Sequence, residues 1–219
     1  MSLAVGAGAI AGVPSIVGAD TKAIRFAAST QLVGYALGLI SAFAMVRLLS
    51  TGSAGAGLTL RPKDVPLGLA CLALAYPILD LLSRGATLLA TKIEGKPPSE
   101  LAHASLIQMV DSRGNPWVWV VAFNAIVLAP VVEEVIYRGF LQSSILRLTG
   151  KAWASIFITA GIFAAAHHGT VPVHVLGVLF ALGVAMGLAF ERSRSLGVPI
   201  LMHVGFNAAN VALTFWLKG

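Results

Sequence analysis

The chain has 219 residues, 57% of them hydrophobic and only 11% charged, with a formal net charge of +6 and a mean hydropathy of +0.86. A soluble domain is nearer half apolar and a quarter charged, so these values argue against a water-soluble globule and predict one integral membrane domain spanning 1–219. The basic residues sit mostly in short breaks between apolar runs, where they meet lipid headgroups; with no basic stripe interleaved with aromatics, nucleic acid is not an expected partner.

In chain order, residues 3–19 are small and apolar, contain Pro14, and carry no basic residue before Lys22. They predict an N-terminal membrane-associated segment, because a secretory signal normally places positive charge ahead of its apolar run. Phe26 to Leu49 predicts a first span, long enough for a hydrocarbon core of roughly 30 Å. Gly34 and Gly38 there stand at a spacing that admits close helix approach. A Gly/Ser-rich loop (Thr51 to Gly57) and the run Arg61-Pro62-Lys63-Asp64-Val65-Pro66 predict an interfacial turn. Leu67 to Ala90 is a second span, with Asp80 and Arg84 four apart and pairing near the membrane edge. Asp80 is taken as the only aspartate embedded in a span, and Cys71, the sole cysteine, excludes an intrachain disulfide.

Residues 92–116 are the one long polar stretch, predicted as a solvated connection with an amphipathic helix at 99–110 and a surface His103. Trp117 and Trp119 open a third span as interfacial aromatics do. Gly139 to Leu148 is expected to lie along the interface. Further spans follow at 152–168, at 172–190 with Gly183 and Gly187 again four apart, and at 198–217. The expected fold is an all-α transmembrane bundle of about six spans, multi-pass, with the N-terminal segment in addition. The breaks at 47–64, 138–151 and 191–197 then share one face, which the positive-inside rule makes cytoplasmic.

The stretch Ala129-Pro-Val-Val-Glu133-Glu134-Val-Ile-Tyr-Arg138-Gly139 sets two carboxylates at the end of an apolar run. An ionised carboxylate at membrane depth costs at least about 2.5 kcal/mol, so such residues face a bundle interior or a wet cavity. Neighbours on a helix point about 100° apart, so the two glutamates cannot share one role on one face. Glu134 and Arg138 stand at pairing distance, which leaves Glu133 as the unpaired acid. Later helices add His167 and His168, then His203 and Asn207, and each such burial is costly without a partner. Phe163 and His167 share a helix face, as do His203 and Asn207. Convergence on one polar cavity is the economical arrangement.

That set suits amide hydrolysis. Desolvation and a neighbouring carboxylate are expected to shift Glu133 upward toward a working pH, as a general base on water requires. His167 could hold the same water. His203 and Asn207 could donate to the developing oxyanion, where the loss of one donor costs roughly 3–4 kcal/mol in other enzymes. The plain alternative is a structural ion-pair cluster with hydrogen-bonded packing histidines.

The run Glu133-Glu134-x-x-x-Arg138, then Phe163-x-x-x-His167, then His203-x-x-x-Asn207, resembles the CPBP family of CAAX prenyl endopeptidase and bacteriocin-processing proteins, also called the Abi family. The motifs lie in order within 117–219, the motif-bearing half; the N-terminal half adds only compatible spans. The resemblance implies an intramembrane glutamic peptidase with its site in a cavity open to one membrane face. It implies catalytic Glu133 and His167 activating water, His203 and Asn207 at the oxyanion, and supporting Glu134, Arg138 and Phe163. It implies no metal cofactor, and a peptide or protein substrate that is prenylated or membrane-embedded. His168 departs from the motif and is expected at the interface, as is His174.

Three other readings compete. Two imidazoles and a carboxylate can also form an open zinc-type site, although no HExxH is present. A proton-coupled carrier would use the same intramembrane Glu and His residues, but no repeat relates the two halves. A scaffold that retains the motifs is the third. Serine and aspartyl routes lack a GxSG sequence and an aspartate pair.

Overall fold

Apolar runs of this length become helices because hydrocarbon offers nothing else to satisfy backbone N–H and C=O groups. In the computed structural model, which describes residues 21–49, 61–98 and 104–218, every regular element is a helix. They are α1 (Thr21–Leu49), α2 (Asp64–Glu94), α3 (Ala104–Asp111), α4 (Trp117–Thr149), α5 (Ala152–Ala166), α6 (Val173–Ser193) and α7 (Gly197–Lys218). The expectations for 3–19, for the loop at 51–57 and for His103 lie outside the described residues.

The all-α, multi-pass architecture is as expected, with two corrections to the spans. Among the described residues four helices, α2, α4, α6 and the stretch Gly197–Trp216 of α7, are long and apolar enough to cross a bilayer. α1 lies where the first span was expected. α5 has only 15 residues, about 22 Å at 1.5 Å per residue, and does not fill the expected span over 152–168. Nor does Gly139 to Leu148 lie along the interface: α4 runs unbroken for 33 residues through Thr149. Gly139 and Gln142 within that stretch are buried, because Gly139 packs against Leu196 and Gln142 reaches into α6.

α7 sits centrally, packed along α2, α6 and the middle of α4, while α5 lies between α6 and the second half of α4. α2 presents Leu74, Ile78, Leu81 and Leu88 outward, the pattern of a helix bathed in lipid. Its Asp80–Arg84 pair forms at 2.8 Å on that outer face. At one end of the bundle Trp119 stacks on Phe215 with centroids 6.0 Å apart, and Arg25 lies 5.5 Å over the Trp117 ring. That layer fits the expected interfacial belt. At the other end Asp64 contacts Ser195 and Gly139 contacts Leu196, so parts of the three basic breaks do share one face.

α4 is not regular. α-Helical Trp117–Phe123 passes into a π-turn at Asn124–Leu128, and Ala129–Glu134 into a second at Val135–Gln142. In the first, the Ala129 N–H bonds to the Asn124 carbonyl and so bypasses Ala125. The next residue is Pro130, which has no N–H to offer. The Ala125 carbonyl is thereby left without a donor from its own helix.

Gly183 and Gly187 answer the question their spacing raised. A Cβ at Gly183 would stand 3.1 Å from the Ala160 backbone and 3.3 Å from Phe163; one at Gly187 would stand 2.9 Å from Gln142 Oε1. The bare backbone lets Arg138 Nη2 donate to Gly183 O at 3.1 Å and Gln142 Nε2 to Gly187 O at 3.0 Å. Gly34 meets nothing within 4 Å, whereas a Cβ at Gly38 would meet Val132 at 3.3 Å. Gly183→Ala is expected to destabilise the bundle by about 1–3 kcal/mol, because a backbone atom cannot step aside as a side chain can. An unchanged melting temperature in detergent would count against this close approach.

Candidate active site

The site forms where α4, the end of α5 and the first turns of α7 meet. Glu134 and Arg138 pair as their spacing predicted, Nη1 to Oε1 at 2.6 Å, with both side chains fully buried. A third partner was not legible: His203 Nδ1 lies 2.9 Å from the same Oε1. Two donors converge on one oxygen, so Glu134 is the acceptor and His203 carries its proton on Nδ1. The other ring nitrogen, Nε2, stands 4.0 Å from Glu133 Oε2. Among the described residues that Glu133 oxygen is buried with no hydrogen-bond partner, while the side chain as a whole is 21% exposed. Glu133 is therefore the unpaired acid of the pair, at the edge of the buried cluster.

His167 caps α5. The last turn tightens, and the His167 N–H bonds to Ala164 O at 3.1 Å. Phe163 O, the α-helical acceptor for that N–H, is taken instead by the His167 ring through Nδ1 at 2.8 Å. A carbonyl can only accept, so Nδ1 carries the proton and Nε2 keeps its lone pair. Two imidazoles of one site are thus fixed in the same tautomer by different partners.

Phe163, fully buried, joins the pieces. Its ring lies 4.7 Å from that of His167 and 5.8 Å, edge-on, from that of His203. Tyr137 meets it edge-on at 5.2 Å, and the Arg138 guanidinium lies over its face at 5.2 Å. Asn207 donates through Nδ2 to the orphaned Ala125 carbonyl at 2.8 Å, which docks α7 on the first π-turn. Glu133, Glu134, Arg138, Phe163 and His203 are brought together directly. His167 joins through Phe163, and Asn207 lies one turn beyond His203. No hydrogen bond links His167 to Glu133. His168 is exposed.

Sequence reasoning missed Gln142, and its signal was present. Arg138 and Gln142, four apart, meet the carbonyls of Gly183 and Gly187, also four apart. It also missed Asp64, which the sequence places in an interfacial turn although it is 2% exposed; among the described residues Asp64, and not the outward-facing Asp80, is the aspartate sequestered in the bundle. Among the described residues no group of three His, Cys, Asp or Glu side chains is gathered as a metal-ligand set.

Residues 115–209 match the family model described as type II CAAX prenyl endopeptidase Rce1-like. Among curated proteins, an uncharacterized 24.3 kDa protein of Escherichia coli is 28% identical over 122 residues, covering 55% of each chain. The UPF0177 protein YbdJ of Lactococcus lactis is 30% identical over 103 residues, 45% of this chain and 43% of that one. The chain spans about half the length of the curated relatives it matches. No solved structure matches it. The matched stretch, residues 115–209, holds every motif side chain described above, and over it the chain is similar to the type II CAAX prenyl endopeptidases of the Rce1-like family.

Proposed function

We propose that the protein is an intramembrane endopeptidase that hydrolyses a peptide bond with water activated by Glu133 and His167, working without a metal ion. Its substrate is a membrane-embedded peptide or protein, prenylated near its C-terminus in the manner the family description names. The catalytic domain is the stretch from Trp117 onward.

The observation that carries this reading is a carboxylate oxygen without a hydrogen-bond partner, 4.0 Å from the His203 ring, in a cluster that a second imidazole, His167, joins through Phe163. Glu133 Oε2 is a free acceptor, and His167 Nε2, with Nδ1 committed to Phe163 O, offers a second lone pair. A water held between two acceptors donates both protons inward and turns its own lone pair outward, the orientation for attack. His203 plays the opposite part. With Nδ1–H committed to Glu134, it donates from Nε2 only when the ring carries both protons. The charges of Glu133, Glu134, Arg138 and that imidazolium then sum to zero, as a buried cluster favours. Asn207 has a second amide hydrogen beyond the one given to Ala125 and can share the oxyanion.

The test is cleavage of a farnesylated CAAX peptide and of a matched unprenylated peptide by protein reconstituted in lipid. His167→Ala is expected to lower cleavage by about two to four orders of magnitude, and added chelator to leave the wild-type rate unchanged. Full activity in His167→Ala would overturn the assignment; loss on chelation that zinc restores would transfer the same groups to a metal mechanism. Equal cleavage of the two peptides would remove the prenyl group from the reading.

A further inference from the structure

We propose that Asp64, outside the matched family region, is a positioning residue that sets the axial register of α7 and hence where His203 and Asn207 stand against α4. Asp64 Oδ2 accepts the Ser195 hydroxyl at 2.6 Å and the Arg61 backbone N–H at 2.8 Å. The contact with Ser195 bridges 131 residues. Ser195 Oγ in turn accepts the Gly197 N–H at 3.3 Å, so the carboxylate, the hydroxyl and the first residue of α7 form one chain. The carboxylate lies at the N-terminal ends of both α2 and α7, where helix dipoles favour negative charge.

Gly197 is the residue that permits this approach: a Cβ there would lie 2.5 Å from Asp64 Oδ2. Two more steps continue the contact. A Cβ at Gly68 would meet Leu201 at 2.8 Å and Val198 O at 3.0 Å, and one at Gly205 would meet Leu72 at 2.6 Å. The pairs 64/197, 68/201 and 72/205 advance together by one helical turn, so α2 and α7 run in the same direction as a ladder with Asp64 as its first rung. Side chains alone can slide along such a seam, but a buried carboxylate with fixed donors cannot. Ser195, Leu196, Gly197, Val198 and Pro199 are all buried around it, and His203 follows within two turns. The motif-free half of the chain therefore supplies the datum from which the oxyanion groups are measured.

The experiment compares Asp64→Ala, Gly197→Ala, their double variant, the milder Ser195→Ala, and Met109→Ala as a buried control in a separate cluster. Each full-length protein is reconstituted with the farnesylated peptide, and the His203 Nδ1–H resonance is recorded after selective 15N-histidine labelling. Asp64→Ala and Gly197→Ala are each expected to lower kcat per folded molecule by about tenfold to a hundredfold, as angstrom-scale misplacement does, with KM unchanged and the His203 resonance shifted. The double variant is expected to fall short of additivity, because removing the carboxylate takes away the nearest contact of the added methyl and leaves only the residue 64 Cβ at 2.9 Å. Ser195→Ala shifts the resonance in the same direction. Met109→Ala lowers the melting temperature without moving the resonance or kcat.

An unmoved His203 resonance in both Asp64→Ala and Ser195→Ala overturns the proposal, as does strict additivity in the double variant. The kinetic arm rests on the proposed peptidase reading, whereas the resonance does not. A shifted resonance in a protein whose cleavage ignores Glu133 would keep the register and remove the peptidase.

Discussion

Glu133→Gln is expected to abolish cleavage, by about two to four orders of magnitude, while leaving the protein as stable as before or slightly more so. Glutamine has the size and shape of glutamate and fits the same space, but its amide cannot take a proton from water. The fold gives up little, because Glu133 makes no hydrogen bond within the described residues and His203 Nε2 stands 4.0 Å from its carboxylate. Neutralising a half-sequestered acid with no partner also removes a desolvation burden. Rate and melting temperature measured on one preparation check both halves. A variant that loses activity only as it loses folded protein would mean that Glu133 is structural.

Glu134→Ala is expected to fail in the opposite way, by loss of folded protein. It strands the Arg138 guanidinium, fully buried beside it at 2.6 Å, and takes the acceptor from His203 Nδ1 at 2.9 Å. Removing one partner of a buried pair costs about 3–5 kcal/mol, most of it the penalty of the charge left behind. The companion variant Glu134→Leu with Arg138→Met removes both charges, and much of that stability is expected to return. Cleavage is not expected to return with it, since His203 would have lost the carboxylate that holds its ring. Recovery of both together would show that the pair serves the fold alone. Equal melting temperatures for Glu133→Ala and Glu134→Ala would refute the division of labour between the two glutamates.

What was legible in the sequence was local. Glu134 and Arg138 pair because a helix brings positions four apart together, and His203 and Asn207 share a face for the same reason. The spacing of Gly183 and Gly187 announced a close approach, although not that Arg138 and Gln142 would be what approached. The bundle itself followed from composition and the length of the apolar runs. What was not legible depended on contacts across the chain or on backbone irregularity. Nothing in residues 61–66 predicts a bond to Ser195, 131 positions away. The π-turns of α4 are favoured by no residue pattern, only by what the helix gains from its neighbours. Gly139 to Leu148 looked interfacial because it is apolar on one side with Arg147 and Lys151 at its end, whereas the second π-turn, Val135–Gln142, runs into that stretch and Gln142 buries its amide against α6. The shortness of α5 was hidden because its sequence stays apolar until His167.

The orphaned carbonyl of Ala125 bears on how the protein is made. A helix that cannot close its own hydrogen bonds enters the membrane with an outstanding need, and here the group that meets it, Asn207, is translated 82 residues later. His203 reaches Glu134 only after a similar delay of 69 residues. Until α7 is inserted, a nascent chain holds the Glu134–Arg138 pair without its His203 donor and the Ala125 carbonyl without Asn207. α7 is therefore the helix that completes the charge cluster, and the cluster exists in full only once α7 has joined the helices made before it.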